Sequence, residues 1–470
     1  MLFSDIKKIL NIVKISGTLS DLNINFFTNN SKNVDKNTLY VVEDKKKIKP
    51  AYLKEIIDKK VTTLLTNKYF KDLPITQIIV KDVNKELIKL IKKNFPNQPK
   101  KSIAITGTNG KTSTAWFLAQ ICKLNNNPSK LIGTLGYFED LKKVKNTDLT
   151  TPDYLDLYQF AYTKNKNINN FICEASSHGL AQGRFRNINI DIAAITNLSH
   201  DHLDYHKNFS SYIKAKFLLF TKILNRNGIA VINSRLKNYK LLKNKLLSRK
   251  IKIITYGSKD IYFKDEKALF LIIFHKKYLI KNLKLNDIQK ENLECAIACA
   301  ICMKISVKNI IKILHKLKAA PGRYETINYK KKLSKIIIDY AHTPDALEHI
   351  LKIYTKNELK PSIVFGCGGD RDKLKRKEMA FIVNKFANKV FITDDNPRNE
   401  NPSKIRKTIK KYCTKGIEIP DRRKAIHFAI SQIKEKDILI IAGRGHEKYQ
   451  LVNDKKIKFD DYEVVKKFLK

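Results

Sequence analysis

The sequence predicts an α/β protein of three domains built on mostly parallel sheets. Three observations predict it. Short apolar runs rich in Ile and Val alternate with longer lysine-rich helical stretches, the pattern of strand–helix–strand units. Many of these runs end in polar, often glycine-containing clusters, where an open parallel sheet carries its ligands. Two breaks divide the chain, Asn94-Phe-Pro-Asn-Gln-Pro-Lys100 and Pro321-Gly322, because proline disfavours helix. The expected domains are 1–98, 99–323 and 324–470, in keeping with 470 residues at roughly 100–200 per domain.

The first segment offers strand-like runs at Leu39–Val42, Thr62–Leu65 and Gln77–Val80 and no evident chemistry. The second opens on Ser102–Ile105, a buried-strand run, followed by Thr106-Gly-Thr-Asn-Gly-Lys-Thr-Ser113 and a helical stretch. Gly107 and Gly110 permit a tight turn. The loop amides and the helix N-terminus face an anion. Lys111 adds charge near terminal phosphates, and the Thr112 hydroxyl can bind Mg²⁺. The spacing departs from the common phosphate loop, which would place a glycine at Ile105. Further strands are expected at Phe171–Cys173, Ile190–Ile195, Ile229–Ile232 and Ile251–Ile254. Glu174 ends the first of these. With Thr112 it forms a minimal oxygen site for Mg²⁺. His202, after the second, suits a softer position or Mn²⁺. The third segment repeats the design, with strands at Lys335–Ile338, Ser362–Phe365, Val390–Ile392 and Ile438–Ile441, each ending in a polar cluster.

Composition narrows the function. The formal charge of +47 could signal nucleic acid or an anionic membrane. The lysines are spread along the whole chain, however, and Lys, Asn and Ile are abundant everywhere. The reading is compositional drift with an acidic small-molecule substrate, and no nucleic acid. The seven cysteines lack a disulfide rhythm, which suits a reducing cytosol. Cys295, Cys299 and Cys302 have the spacing of a radical-type iron–sulfur site, but that spacing also puts three thiols on one helical face. A helix core is the expectation. No apolar run reaches the length of a membrane span, and the charged N-terminus does not resemble a signal peptide, so a cytoplasmic protein without membrane insertion is expected.

The motifs TGTNGKTST, LTTPD, EASSHGLAQGR, NLSHDHLDYH, YIKAKFLLF, PGRYE, DYAHTPDALE, GCGGDRDK, TDDNPRNE, DRRKAI and AGRGHEKYQ follow one another from Thr106 to Gln450. In that order they resemble the Mur ligases of peptidoglycan synthesis, and within them the diaminopimelate-adding branch. The resemblance implies a uridine-binding N-terminal domain, a central P-loop-type ATPase domain and a C-terminal Rossmann-like α/β domain that brings the amino acid. It implies ATP-driven amide formation through an acyl phosphate, with ATP as co-substrate, UDP-MurNAc-L-Ala-D-Glu and meso-diaminopimelate as partners, and a monomer. One anion attacks another in that reaction, so the site must supply positive charge.

The resemblance also assigns residues. Gly107, Thr108, Asn109, Gly110, Lys111, Thr112 and Ser113, with Asn292, Arg323, Asp339 and His342, would surround ATP. Thr112, Glu174, His202 and Lys216 would hold the metal, Lys216 as a CO₂-derived carbamate; carbamate formation needs a neutral amine, which burial and nearby cations favour. Lys111, Lys216 and His202 would be catalytic. Thr150, Thr151, Ser176, Gln182 and Arg184 would hold the UDP-MurNAc-dipeptide, with Leu149 replacing the family's usual Asn. Asn29 and Ser31 stand where the family has its D-S-R motif, and Glu43-Asp-Lys-Lys-Lys47 replaces the glycine-rich continuation. Arg371, Asp395, Asn396, Pro397, Arg398, Gly443 and Glu447 would bind diaminopimelate. Arg398 matches its distal carboxylate with paired hydrogen bonds, which lysine could not use. The rivals are a relative adding lysine or acting on folate, and a basic nucleic-acid-binding NTPase.

Overall fold

The computed structural model describes residues 2–17, 23–43, 48–147, 149–163, 168, 170–355, 360–453 and 455–469. It has three sheets in succession along the chain and a short ribbon, Tyr449–Val452 with Lys455–Lys458. Residues 44–47 of the substituted stretch lie outside the described residues.

The N-terminal sheet runs in the order Ile12–Ser16, Thr76–Val80, Thr63–Thr66, Thr38–Val41, Phe26–Thr28. The first pair is antiparallel and the rest are parallel. Helix Val83–Asn94 closes the domain. Asp82 caps it by accepting from Lys85 N at 3.0 Å, and it buries Val83, Leu87, Leu90 and Ile91, the helical repeat of one apolar face. It ends at Asn94, two residues before Pro96. The sheet does not stand apart from the rest. Gln159, on helix Tyr154–Tyr162, accepts from Phe27 N at 3.0 Å and donates to Phe27 O at 2.7 Å. Phe27, Leu87 and Ile91 share one apolar core with Leu155, Tyr158 and Phe171.

The central sheet has eleven strands. Its middle is parallel, in the order Lys252–Tyr256, Leu224–Asn233, Ile190–Ile195, Lys101–Thr106, Asn170–Glu174, Ser129–Gly133. Both edges carry antiparallel ribbons, Ile261–Asp265 to Lys276–Leu279 on one side and Gly136–Glu139 with Lys142–Lys145 on the other. Their outermost strands, Lys142–Lys145 and Lys276–Leu279, are mostly exposed and lysine-rich, whereas Leu269–Ile273 and Gly136–Glu139 are largely buried and were missed by the sequence reading. Strand Lys101–Thr106 lies between Ile190–Ile195 and Asn170–Glu174. Because all three are parallel, the loops that follow them meet at one edge. Against one face pack helices Lys111–Leu124 and Asp287–Cys302. Cys295, Cys299 and Cys302 are buried there, as the helix-core reading expected, and burial pushes the Cys302 thiol up to about 12.

The C-terminal sheet runs in the order Glu325–Tyr329, Ser334–Asp339, Ile438–Ala442, Ser362–Phe365, Val390–Ile392, Ile417–Glu418, parallel after its first, antiparallel pair. The last long strand is inserted between the first two parallel ones. This brings the Gly443–Glu447 turn beside both the Asp339–Thr343 and Gly366–Gly369 turns. Each expected strand run overlaps an observed strand, with bounds that agree to within a residue or two; Val42, Thr62 and Ile251 fall just outside theirs. The exception is Ile229–Ile232, which is the inner part of a longer strand, Leu224–Asn233.

Candidate active site

The phosphate loop is fixed from several sides. Gly107 has φ +143° and Gly110 +82°, and a methyl group on Gly110 would overlap the Asn292 side-chain amide. Thr108 N donates to Asn197 O at 2.9 Å, Asn109 N to Asn197 Oδ1 at 2.8 Å, and Thr108 Oγ1 lies 2.8 Å from the Tyr212 hydroxyl. Helix Lys111–Leu124 starts directly after Gly110, so its first amides and the loop amides form an anion cradle. Ser113 is buried at its first turn. Lys111 Nζ donates to Gly107 O at 2.9 Å and Thr108 O at 2.7 Å, folding the ammonium back over the loop. Burial pulls its pKa down, and Glu174 opposes that.

Glu174 is 2% exposed. Its Oε2 accepts from the Thr112 hydroxyl at 2.9 Å and the Thr134 hydroxyl at 3.1 Å, and its Oε1 from Thr134 N at 2.9 Å. A carboxylate and a hydroxyl beside a phosphate cradle are hard oxygen donors, the set that suits Mg²⁺ or Mn²⁺. His202 takes a left-handed backbone at φ 54°. Its Nε2 lies 3.3 Å from Asp201 Oδ2, and its ring meets His178 edge-on at 4.7 Å. Burial pushes its pKa down to about 3, which keeps the imidazole neutral. Among the described residues no three His, Cys, Asp or Glu side chains converge as a ready-made metal cluster. Lys216 is 1% exposed. Its Nζ donates to Gly107 O at 2.7 Å and lies 4.5 Å from the Tyr212 ring centre. Burial first, then Lys111, hold its pKa well below the ordinary value, as carbamate formation requires.

The next cluster forms around Thr151. Its hydroxyl donates to Glu174 O at 2.8 Å and accepts from Ser176 N at 2.9 Å. Ser176 caps the short helix Ser177–Ala181 through Gly179 N at 3.1 Å. Thr150 and Thr134 hydroxyls lie 3.2 Å apart. Arg184 donates to Thr151 O and to Gln182 Oε1 at 3.0 and 2.6 Å. All five predicted residues of this group are therefore together, while Leu149 stands exposed. Asn29 and Ser31 are not joined to each other. Asn29 Nδ2 donates to Glu43 at 3.2 Å, and Glu43 also pairs with Arg186 at 2.9 Å. The Ser31 hydroxyl is committed to Glu55 at 2.6 Å.

Across the domain joint, Arg323 Nη2 reaches the Thr112 hydroxyl at 3.4 Å and stacks over Tyr340 with its guanidinium carbon 4.3 Å from the ring centre. Asp339 is buried and accepts from Tyr324 N and Ala341 N, each at 2.8 Å. His342 Nδ1 lies 2.8 Å from Tyr340 O, and burial with Lys375 lowers its pKa to about 4. Sequence reasoning missed Asp345, whose Oδ2 accepts from Asn109 Nδ2 at 3.3 Å. It also missed Asn197, Asp201 and Lys375. Asp345 stands in the DYAHTPDALE stretch and could have been found there as a first-turn helix acid.

The residues that the resemblance assigns to the amino acid also come together. Arg398 sits at φ 51°, a conformation that strains a side-chain-bearing residue and marks functional positions. It is pinned by Arg398 N to Leu451 O and Asn453 N to Arg398 O, both 3.0 Å. Its Nη1 donates to Gly369 O at 2.8 Å. Asn396 Nδ2 donates to Glu447 Oε2 at 2.8 Å, and its Oδ1 accepts from Arg444 Nη1 at 2.9 Å. A methyl on Gly443 would come 2.6 Å from Asp395 Oδ2. Pro397 is buried and Arg371 exposed. Burial, then Arg371, depress the Arg398 pKa; burial, then Asp395, raise that of Glu447. Two guanidiniums and two carboxylates at one strand-end cluster match a ligand bearing both signs of charge.

A phosphate cradle with its oxygen donors faces, across a joint, a charged pocket on a separate α/β domain. This architecture defines an ATP-dependent ligase. Residues 105–312 match the Mur ligase middle domain and residues 322–445 the Mur ligase glutamate ligase domain. The chain is 37% identical over 467 residues to the UDP-N-acetylmuramoyl-L-alanyl-D-glutamate--2,6-diaminopimelate ligase of Rickettsia rickettsii, covering 95% of this chain and 96% of that one. It is 37% identical over 414 residues to the protein of the same name from Anaplasma marginale, covering 84% and 85%. A solved structure bearing that name superposes with a TM-score of 0.62 at 28% identity over 100% of this chain and 98% of the other. The MurF ligase of Thermotoga maritima in complex with ADP has a TM-score of 0.65 at 17% identity, over 96% and 98%, which shows the shared fold. The chain belongs to the Mur ligase family.

Proposed function

We propose that this chain joins meso-diaminopimelate to the D-Glu of UDP-MurNAc-L-Ala-D-Glu, driven by ATP. The γ-carboxylate of D-Glu attacks the γ-phosphorus of ATP, ADP leaves, and the amine of diaminopimelate then displaces phosphate from the acyl phosphate. Lys111 and the loop amides bind and orient the triphosphate. Thr112 and Glu174, with His202 and a Lys216 carbamate, would hold Mg²⁺ or Mn²⁺, whose charge offsets that of the phosphates. Thr150, Thr151, Ser176, Gln182 and Arg184 hold the dipeptide end of the acceptor, and Asn29 and Ser31 lie on the uridine side. Asn292, Arg323, Asp339 and His342 bound the nucleotide, Arg323 by its hydrogen bond to the Thr112 hydroxyl. Arg371 and Arg398 take the carboxylates of the amino acid, and Glu447 the distal ammonium.

The observation that carries this reading is the cluster around Arg398, where Arg371 and Arg398 suit carboxylates and the half-buried Glu447, with buried Asp395, suits an ammonium. ATP and a UDP-linked precursor as substrates support a cytoplasmic enzyme, and among the described residues no helix is long and apolar enough to cross a membrane. The test is phosphate release from ATP with UDP-MurNAc-dipeptide and each of meso-diaminopimelate, L-lysine and L-glutamate. Release with diaminopimelate is expected; equal use of lysine would overturn the substrate assignment.

A further inference from the structure

Lys111 brings one ammonium to the transferring phosphoryl group from the central domain. The closed joint holds a second that none of the roles above uses. Lys375 lies in the first turn of helix Leu374–Phe386 of the C-terminal domain. It is half-buried, and its Nζ donates to His342 O at 3.1 Å. That bond turns the side chain toward the joint and away from solvent. One residue after His342, Thr343 caps helix Pro344–Tyr354, and Asp345 of that helix is the acceptor for phosphate-loop Asn109. Lys375 is thus held by the same turn that docks on the phosphate loop. In the central domain Asp201 pairs with His202, and against the effect of burial the nearby charges of His202, His342, Lys375 and Lys111 together hold its carboxyl below the usual carboxylate range.

We propose that Lys375 is a further catalytic residue: closure of the C-terminal domain delivers its ammonium to the phosphoryl group in transit, opposite Lys111. The inference rests on the acyl-phosphate reading above. In that step a carboxylate oxygen forms a bond to the γ-phosphorus, the bond from phosphorus to the β–γ bridging oxygen breaks, and its electron pair leaves with ADP. No proton moves, so Lys375 keeps its charge throughout. Positive charge presented only in the closed state acts on the transition state more than on bound ATP. The hydrogen bond to His342 O holds the lysine in place before the substrates arrive, which limits reorganisation at the moment of reaction.

The phosphoryl step can be read alone. ATP labelled with ¹⁸O at the β–γ bridge is incubated with UDP-MurNAc-dipeptide and no amino acid, and scrambling of the label into the β-nonbridging positions is followed. In Lys375→Gln, scrambling is expected to slow by about 10²–10³-fold, with the ATP Kd from calorimetry within about threefold of wild type, which also shows that the variant is folded. Lys375→Arg should recover part of the rate. Scrambling at the wild-type rate in Lys375→Gln, a loss of ATP affinity as large as the loss of rate, or no recovery in Lys375→Arg would overturn the proposal. A wild type that scrambles label yet joins no diaminopimelate overturns the amino-acid assignment and leaves Lys375 in its role.

Discussion

Lys216 illustrates how far a single side chain depends on its surroundings. In a chain with 92 lysines and arginines, its buried amine is held back from protonation by desolvation and by Lys111. Lys216→Ala is expected to be nearly inactive and to regain part of its rate in added short-chain carboxylate, which stands in for a carbamate; steady-state rates with and without acetate check this. Arg398 sets selectivity in the same local way. Lysine would leave its guanidinium unmatched, and a site built for a polar group rejects an analogue lacking it by roughly 10⁴-fold. Arg398→Ala should lose most activity with diaminopimelate and narrow the gap to lysine, with ATP affinity unchanged. The measurement is kcat/KM for both amino acids in both proteins. Both residues were found in the sequence through their motifs. Their burial, and the left-handed backbone of Arg398, were not, because neither leaves a compositional mark.

At the scale of elements, helix Asp287–Cys302 does two jobs. It presents Asn292 against Gly110 and packs its cysteines into the core. Glu294 is the anomaly on its buried side. Oε1 accepts from Phe263 N at 2.7 Å, while Oε2 has no hydrogen-bond partner among the described residues. Burial raises its pKa to about 8. An acid whose pKa is raised on folding binds more protons in the folded state, so its contribution to stability falls as pH rises from about 4.5 to about 8. Glu294→Gln keeps the acceptor and removes the ionisation. Its melting temperature should exceed that of wild type by a margin that widens from pH 5 to pH 8; thermal melts across that range test it. The strands of this element layer were legible as apolar runs because parallel strands are buried on both faces. The outermost edge strands, Lys142–Lys145 and Lys276–Leu279, were not, being mostly exposed and lysine-rich.

The whole molecule is held by contacts that cross its domains. The N-terminal sheet shares a core with the central domain through Phe27 and Gln159, so the Asn94–Lys100 break separates chain segments more than bodies. Within the C-terminal domain, Arg422 and Asp461 pair at two points of 2.8 Å with both side chains fully buried. This pair ties helix Arg422–Ser431 to helix Asp461–Leu469, and Arg422 Nη2 also donates to Ala442 O at the end of a central strand. Removing one partner leaves a buried charge uncompensated. Asp461→Ala should therefore cost about 3–5 kcal/mol, read from urea unfolding of the full chain. By that route the variant would also displace the Gly443–Glu447 turn and lower activity at temperatures where wild type is stable.

The sequence by itself determined the α/β class, the phosphate loop, the strand-end clusters and the family, because glycine, proline and apolar periodicity act locally and motifs lie contiguous in the chain. It also singled out Thr112, Glu174, Lys216 and Arg398. Only the tertiary structure decided that the domains meet with Arg323 on Thr112 and Asp345 on Asn109, that Lys375 bonds to His342 O, and that Ser31 is tied to Glu55. Those facts depend on residues far apart in the chain, brought together by the packing of whole domains. Their energies come from burial and charge proximity, quantities that a one-dimensional pattern does not contain.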